Sequence, residues 1–306
     1  MSPPEEGVNA LAVPRVIGLS CGMATSTDSP RPLQPVLLVD RFAPLHAELI
    51  SLLRGLQPPD WDRPTACSLW AVRDIAAHLL DDDLRRLSSH RDGHQLSGAP
   101  VDSLRDLIAM IDRLNAEWVA AARRLSPRVL IELLEVTGPE VVTLFRSIDP
   151  FAPAHWAVSW AGETHSAHWF DVGRDYTERW LHQQQIREAV GAIPLTGRLW
   201  LQPVLDLFVR ALPFTYRDTR REPGTTVHLT IRGDAGGDWT LRRDPAGWTL
   251  LAGATSSPDA RLEMSDDTAW RLFSKGLKPA AARLPVAIEG DQALAEVALG
   301  SLGIMG

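Results

Sequence analysis

The sequence predicts an α+β protein in which a helical bundle is followed by a smaller domain of strands and helices. Apolar residues recur at helical spacing through residues 38–191, and the period falls to two from about residue 226. A length of 306 residues suits two domains. We therefore expect a leader over residues 1–35, a helical bundle over 36–192 and an α+β domain over 193–306.

The leader is rich in Pro and Ser and has no periodic pattern, so we expect it to be disordered. Its apolar stretch VPRVIGLSCGMA follows the acidic PPEEG, whereas a secretory signal carries positive charge at that place. Cys21 and Cys67 are the only cysteines and lie far apart in the sequence. Their number excludes a disulfide scaffold and favours the cytoplasm.

The composition narrows the class of partner. Hydrophobic residues make up 45% of the chain, charged residues 23%, and the net charge is −7. The sequence has no basic stripe, which argues against nucleic acid and anionic membranes as partners, and no apolar run long enough to span a bilayer. We expect small-molecule ligands and a monomer or a homodimer.

Five amphipathic helices are predicted within the bundle. Ser68 is placed to cap the second helix, Pro127 suits the first turn of the fourth, and Gly191 suits the end of the fifth. The helices begin near Val39, Leu69, Val101, Pro127 and Ala167.

The C-terminal part has a different pattern. An apolar helix over 196–215, interrupted at Pro203, precedes four short strands, TVHLTIRG, DWTLRRD, GWTLLAG and ARLEMS. A helix capped by Asp266 or Asp267 follows, then a fifth strand, LPVAIEG. The last helix begins after Asp291, which suits the N-cap position.

Three residues of the bundle carry chemistry that a metal ion needs. Glu178 and His182 are four residues apart and therefore share one face of the fifth helix, although such pairs are usually surface contacts worth a few tenths of a kcal/mol. His78 lies on an otherwise apolar side of the second helix, where a histidine packed in the core is the commoner explanation. If the two helices converge, the three form a His₂Glu set, as in catalytic zinc sites with one open position.

Two segments resemble the signatures of the mycothiol-dependent maleylpyruvate isomerase family, within the wider DinB-like bundles. WDRPTACSLWAVRDIAAHLL (61–80) resembles the first signature, and RDYTERWLHQQQIREAVG (174–191) resembles the second, which has Glu-x₃-His before an Ile-x-x-Ala-x-Gly ending. The tail from AWRLFSKGL onward is similar to the family's C-terminal domain. The resemblance covers residues 38–306. It implies a DinB-like four-helix bundle followed by a sterol-carrier-like (SCP2-like) α+β domain.

The resemblance also implies the site. It assigns His78, Glu178 and His182 as ligands of a divalent metal, with zinc the expected ion, and mycothiol, the small thiol of actinobacteria, as co-substrate. Many members have Asp where this chain has Gln185, so the partner that orients His182 is left open. Asp82 is a possible substitute, although a solvated acidic DDD face is favoured.

Further residues are candidates for binding the co-substrates. Arg174 and Arg179 can bind a carboxylate, and Trp180 can form a pocket wall, although ion pairing and core packing are the common roles of such residues. Cys67 is expected to be a small buried residue rather than a nucleophile. No catalytic residue is assigned beyond the metal ligands.

The expected activity is that of a thiol S-transferase or a maleylpyruvate-isomerase-like enzyme, in which the metal activates the thiol against an electrophilic substrate. Two alternatives remain open at this point. The same metal set can activate water in a hydrolase, and the chain can be a non-catalytic protein that binds a small molecule.

Overall fold

The structure is a computed structural model that describes residues 29–94, 104–276 and 285–303. The helices of the N-terminal part are α1 (Val39–Gly55), α2 (Val72–Arg86), α3 (Leu104–Ala122), α4 (Pro127–Ser147) and α5 (His168–Val190). The helices that follow are α6 (Leu201–Phe208), α7 (Leu212–Thr215), α8 (Asp266–Phe273) and α9 (Gln292–Glu296).

Four of the helices close into a ring. α1 packs on α4, α4 on α2, α2 on α5, and α5 on α1, which is the arrangement of a four-helix bundle. α3 packs against the outside of α2, where the Trp118 indole N–H donates to the carbonyl of Ala77 at 2.7 Å. The ring brings α2 and α5, the two helices that carry the metal-ligand candidates, side by side.

The C-terminal part is built on one mixed sheet. Its strands are β1 (Arg31–Pro32), β2 (Thr226–Arg232), β3 (Gly237–Asp244), β4 (Gly247–Ala252), β5 (Ala260–Ser265) and β6 (Ala287–Gly290). The order across the sheet is β1-β4-β3-β2-β5-β6, in which β2 and β5 are parallel and the other neighbours are antiparallel. Helices and strands together confirm the predicted α+β class.

The start of the sheet differs from the sequence-based expectation. Residues 1–28 of the expected leader lie outside the described residues, but residues 29–35 are described. Arg31 pairs with Ala252 and Pro32 with Leu251, so this segment forms an edge strand of the C-terminal sheet. Proline is tolerated there because an edge strand has one side without ladder partners.

Several helix ends are where the sequence predicts them. Ser126 accepts from the Val129 amide at 3.4 Å and caps α4, and Asp291 accepts from the Leu294 amide at 2.9 Å and caps α9. α5 ends at Gly191, whose φ of 69° is the left-handed conformation that glycine adopts without a side-chain clash.

Other predicted ends are wrong. α2 begins at Val72 rather than after Ser68, because the carboxylate of Asp74 accepts from the Ala71 amide at 3.1 Å. Ser265, and neither of the aspartates after it, caps α8 by accepting from the Thr268 amide at 3.1 Å. In both cases several polar residues compete for one helix start, and tertiary packing selects among them.

The helix over 196–215 is also corrected. Pro203 lies in the first turn of α6, where the missing amide costs no hydrogen bond, and therefore does not interrupt the helix. The break lies at Val209–Ala211, a turn of 3₁₀ helix between α6 and α7.

Helix α5 joins the bundle to the C-terminal part. The Trp180 ring meets the Trp270 ring edge-on at 5.3 Å between centroids, and one apolar core runs from Phe42 of α1 through α5 and α6 to the sheet. Arg271 of α8 also pairs with Glu188 of α5. The metal-ligand candidates of α5 therefore lie on a helix that packs against both the bundle and the C-terminal part.

None of the helices in the described ranges is both long enough and apolar enough to cross a membrane.

Candidate metal centre

The structure brings His78 of α2 and the pair Glu178 and His182 of α5 together. Each offers one ligand atom, and these atoms all lie within 4.8 Å of one another. The two imidazole rings meet nearly at right angles, with 4.6 Å between centroids. Within the described part of the chain, no other group of three His, Cys, Asp or Glu residues meets this geometry. We call these three residues the cation cluster.

The antiparallel packing of α2 and α5 explains how residues a hundred positions apart meet. His78 faces His182, Asp83 pairs with Arg179 at 2.6 Å, and Arg86 pairs with Asp175 at 2.7 Å, so the numbers rise on one helix as they fall on the other. One helical turn separates Glu178 from His182, which places both on the face that meets α2.

The cluster is largely shielded from solvent. His78 is 6% exposed, His182 is 8% exposed, and the side chain of Glu178 is 29% exposed. Trp70, from the loop before α2, lies against both imidazoles, with its ring centroid 4.8 Å from His78 and 6.0 Å from His182. One side of the cluster is thus walled by an indole, and the carboxylate marks the side that solvent reaches.

His182 has a partner that fixes its orientation. Its Nδ1 lies 2.9 Å from Oε1 of Gln185, an oxygen that only accepts hydrogen bonds, so Nδ1 carries the proton. Nε2 is the nitrogen that remains to bind a cation, and it lies 3.4 Å from Oε2 of Glu178. Gln185 therefore supplies the hydrogen-bond acceptor that the missing aspartate would provide, without its charge.

His78 lacks such a partner. Its Nδ1 is buried and has no hydrogen-bond partner among the described residues. Its Nε2 lies 3.6 Å from Oδ2 of Asp82, which is too long for a hydrogen bond. A buried imidazole nitrogen that the surrounding protein leaves unsatisfied is costly unless something else binds it.

The two histidines differ in protonation. Burial lowers the pKa of His78 to about 4, although the charge of Asp82 opposes the shift. Burial also acts on His182, but the neighbouring carboxylate of Glu178 prevails and raises its pKa. His78 is therefore neutral at physiological pH and offers a lone pair, as a metal-binding imidazole must.

Asp82 is not the solvated residue that the sequence analysis favoured. Its side chain is 18% exposed, and Oδ1 accepts from Arg85 at 2.7 Å while Oδ2 faces His78. The preference for a solvated acidic face is therefore wrong at this position. The turn of helix between His78 and Asp82 was the signal, since it repeats the spacing of Glu178 and His182.

The candidates for cofactor binding are all engaged with protein groups. Arg174 pairs with Asp171, and Arg179 pairs with Asp83 and Asp175. The side chain of Trp180 is fully buried, and its indole N–H donates to the Leu195 carbonyl at 2.9 Å. Their proposed role in cofactor binding stays a prediction, and none of these contacts supports it.

The paired arginines belong to a continuous array of buried ion pairs between α2 and α5, which we call the ion-pair ladder. Arg86 donates to Asp171 and to Asp175, both at 2.7 Å, and Thr137 of α4 donates to Asp83 at 2.6 Å. The ladder consists of Asp83, Arg86, Asp171, Arg174, Asp175 and Arg179, three charges of each sign. It fixes the register that brings His78 opposite His182.

Cys67 has the expected character. It is free and partly buried, and burial raises the pKa of its thiol, which keeps the thiol protonated at neutral pH.

Trp70 is the site residue that the sequence analysis missed. Its position in the loop eight residues before His78 gives no periodic signal, because a loop has no fixed face.

Comparison with known protein families finds a match for these helices. The family model described as the mycothiol maleylpyruvate isomerase N-terminal domain matches residues 42–187, the segment that holds the cation cluster and the ion-pair ladder. None of the curated proteins matches the chain significantly.

Two solved structures show similarity to this chain. One is a crystal structure of the mycothiol-dependent maleylpyruvate isomerase, with 12% sequence identity and a TM-score of 0.46. The other is a mutant of that enzyme in which a histidine is replaced by alanine, with 12% identity and a TM-score of 0.47. Each match covers 76% of this chain and 86% of the other.

Proposed function

We propose that this chain is a mycothiol-dependent isomerase with a divalent cation at His78, Glu178 and His182, because residues 42–187 match the family model described as the mycothiol maleylpyruvate isomerase N-terminal domain. The observation that carries the proposal is the state of His78. Nδ1 of this buried imidazole has no hydrogen-bond partner among the described residues, and the ring lies beside His182 and the carboxylate of Glu178.

The donor set fits a divalent cation such as zinc. Imidazole nitrogen and carboxylate oxygen are both zinc donors, and two imidazoles with one carboxylate make up a known catalytic set. His182 is oriented by Gln185, as ligand histidines usually are by a neighbouring acceptor. The cluster requires no backbone movement to collect its three side chains, because they already lie within 4.8 Å.

The cation would supply positive charge that stabilises a thiolate at neutral pH, where a free thiol with a pKa of about 8.5 is mostly protonated. The protein's own residues do the rest. His78, Glu178 and His182 set the position of the charge, and Trp70 walls one side so that the co-substrate approaches from the side of Glu178. Burial of both imidazoles keeps bulk water from competing for the site.

Isomerisation then follows from thiol chemistry. The thiolate adds to one carbon of a cis double bond, and the electron pair of that bond moves onto the conjugated carbonyl. Rotation about the resulting single bond and loss of the thiolate return the electron pair and leave the trans isomer. The thiol is regenerated, so a single nucleophile serves many turnovers.

The test is turnover by the purified chain with maleylpyruvate as substrate, followed by the absorbance of the trans product with and without mycothiol. We expect product only with the thiol and with Zn²⁺ present. His78→Ala and Glu178→Gln should each lower turnover at least a hundredfold. His165→Ala, which changes an exposed loop histidine outside the cluster, should leave it unchanged.

Three results would contradict the proposal or redirect it. Turnover without any thiol would indicate a hydrolase that uses the cation to activate water. Transfer of the thiol onto the electrophile, detected as a stable adduct, would indicate an S-transferase. Full activity after removal of all divalent metal would show that the cation cluster has another purpose.

A further inference from the structure

Asp82 is a second carboxylate beside the cation cluster, and the packing of α2 on α5 determines its position. Since α2 and α5 run antiparallel and His78 faces His182, the residue one turn after His78 comes level with the residue one turn before His182. Those residues are Asp82 and Glu178. Two imidazoles therefore face each other at one level and two carboxylates at the next.

The distances within each helix repeat the same pattern. Nε2 of His182 lies 3.4 Å from Oε2 of Glu178, and Nε2 of His78 lies 3.6 Å from Oδ2 of Asp82. Both exceed the roughly 2.7–3.2 Å of an N–H···O hydrogen bond. Each carboxylate oxygen therefore approaches an imidazole nitrogen without forming a hydrogen bond to it.

Arg85 holds Asp82 in this orientation. The guanidinium donates to Oδ1 at 2.7 Å, which leaves Oδ2 directed at His78. Arg85 also pairs with Asp81 at 3.1 Å, so it bridges two consecutive carboxylates of α2. Of these two, Asp82 is the one whose second oxygen faces the cation cluster.

Charge balance favours the same assignment. With neutral imidazoles, Glu178 alone leaves a divalent ion with one uncompensated positive charge in a mostly buried site. A second carboxylate cancels that charge, and buried ions are stable where their charges are paired. The side chains of Asp82 and Glu178 are 18% and 29% exposed, so neither charge is fully compensated by solvent.

We propose that Asp82 is a fourth ligand of the cation site in the protein without bound thiol. This inference rests on the proposed function only in requiring the same cation at His78, Glu178 and His182. Asp82 stands outside the group whose ligand atoms lie within 4.8 Å of one another, so the proposal requires its carboxylate to turn inward when the ion binds. Because Arg85 provides a second partner, Asp82 is also the ligand that an incoming donor displaces most easily.

The experiment compares cation affinity in the full chain and two variants of α2. Zn²⁺ affinity is measured by competition with a chromophoric chelator for the wild type, Asp82→Asn and the matched control Asp81→Asn. We expect Asp82→Asn to bind Zn²⁺ at least tenfold more weakly. Asp81→Asn, which also removes one carboxylate from Arg85, should bind it within twofold of wild type.

A second measurement distinguishes a ligand from a residue that merely supports the helix. Co²⁺ is bound to Asp82→Cys and Asp81→Cys, and the near-ultraviolet spectrum is recorded. A thiolate ligand at position 82 adds a sulfur-to-cobalt charge-transfer band that wild type and Asp81→Cys lack. This is a gain of signal, so it does not depend on how Asp82→Asn folds.

The outcomes separate the two proposals. If wild type binds Zn²⁺ while Asp82→Asn binds it equally well, or Asp82→Cys shows no new band, Asp82 is not a ligand and the proposed function stands. If the wild type itself binds neither Zn²⁺ nor Co²⁺, the cation site and the proposed function fail together.

Discussion

The same two helices, α2 and α5, hold two polar clusters that differ in how their charges are satisfied. In the ion-pair ladder, three arginines and three aspartates alternate, and each carboxylate has a guanidinium partner. The cation cluster, one turn further along, consists of two imidazoles and a carboxylate with no arginine among them, and Nδ1 of His78 has no hydrogen-bond partner in the described residues. The side chains of the two clusters are buried to a similar extent. What distinguishes a binding site from a structural network is therefore the presence of polar atoms without a protein partner.

The largest expected effect lies in the ladder. Arg86→Ala leaves the buried carboxylates of Asp171 and Asp175 without their shared guanidinium, and breaking a buried pair in this way costs about 3–5 kcal/mol. We expect a loss of that size in the free energy of unfolding, measured by urea denaturation at pH 7.

The control for Arg86 is an arginine in an exposed pair. Arg91 pairs with Asp92 and Glu140 on the surface, so Arg91→Ala should leave the free energy of unfolding nearly unchanged. If Arg86→Ala lowers the free energy of unfolding by less than about 1 kcal/mol, water or a rearranged side chain replaces the missing guanidinium.

The next effect is the response of the ladder to acid. Burial alone would raise the pKa of Asp171, but Arg86 and Arg174 outweigh it and hold the pKa below its ordinary value. A depressed pKa means that the ionised carboxylate stabilises the fold above about pH 4 and that this contribution is lost as the pH falls through the folded-state value. The effect is smaller than that of Arg86→Ala because a single carboxylate is neutralised.

This pH dependence is measured by urea unfolding between pH 6 and pH 2. The wild type should lose stability on acidification, and Asp171→Asn, which cannot ionise, should start less stable and show a shallower slope below pH 4. Parallel curves for the two proteins would contradict the assignment of the acid response to Asp171.

The contrast also explains what the sequence predicts and what it does not. The cation cluster was predicted because His78, Glu178 and His182 stand in motifs whose order and spacing are specific. The ladder was not predicted, and Arg174 and Arg179 were assigned to substrate binding instead. The pairs that cross between the helices join residues more than 80 positions apart, Arg179 with Asp83 and Arg86 with Asp171 and Asp175. Such pairing depends on a register that local spacing does not determine.

Helix positions were predicted better than helix starts. Residues with one dominant signal, such as Gly191 at the end of α5, were placed correctly because no neighbour competes for the same conformation. The start of α2 was misplaced because Asp74 reaches back to the Ala71 amide, and nothing in the local sequence ranks that contact above a cap at Ser68. The edge strand Arg31–Pro32 has two residues, too few for a periodic pattern.

The third effect concerns the cation cluster. A ligand that binds only the folded state stabilises it, by about 2.7 kcal/mol at a concentration of 100 times Kd. We expect Zn²⁺ to raise the free energy of unfolding of the wild type by this amount and to have no effect on His78→Ala. His165→Ala serves as the control and should respond like the wild type. Equal stabilisation of His78→Ala would place the ion elsewhere.

The smallest effect concerns Gln185, the residue that orients His182. Its side-chain oxygen accepts a hydrogen bond from Nδ1 of His182 at 2.9 Å, and residues that orient a ligand histidine in this way contribute about tenfold or more to metal affinity. Gln185→Leu should therefore weaken Zn²⁺ binding by about tenfold. The exposed Gln292, bonded to Glu296 at 2.8 Å, provides the control Gln292→Leu, which should leave the affinity unchanged.

Replacement by aspartate sharpens this last comparison. Gln185→Asp keeps a hydrogen-bond acceptor and adds a charge, and a charged acceptor forms the stronger bond to an imidazole N–H. We expect Gln185→Asp to bind Zn²⁺ at least as tightly as wild type, since the acceptor is retained. If Gln185→Asp binds no better than Gln185→Leu, the glutamine acts through packing rather than through the hydrogen bond. His182 would then owe its orientation to Glu178 alone.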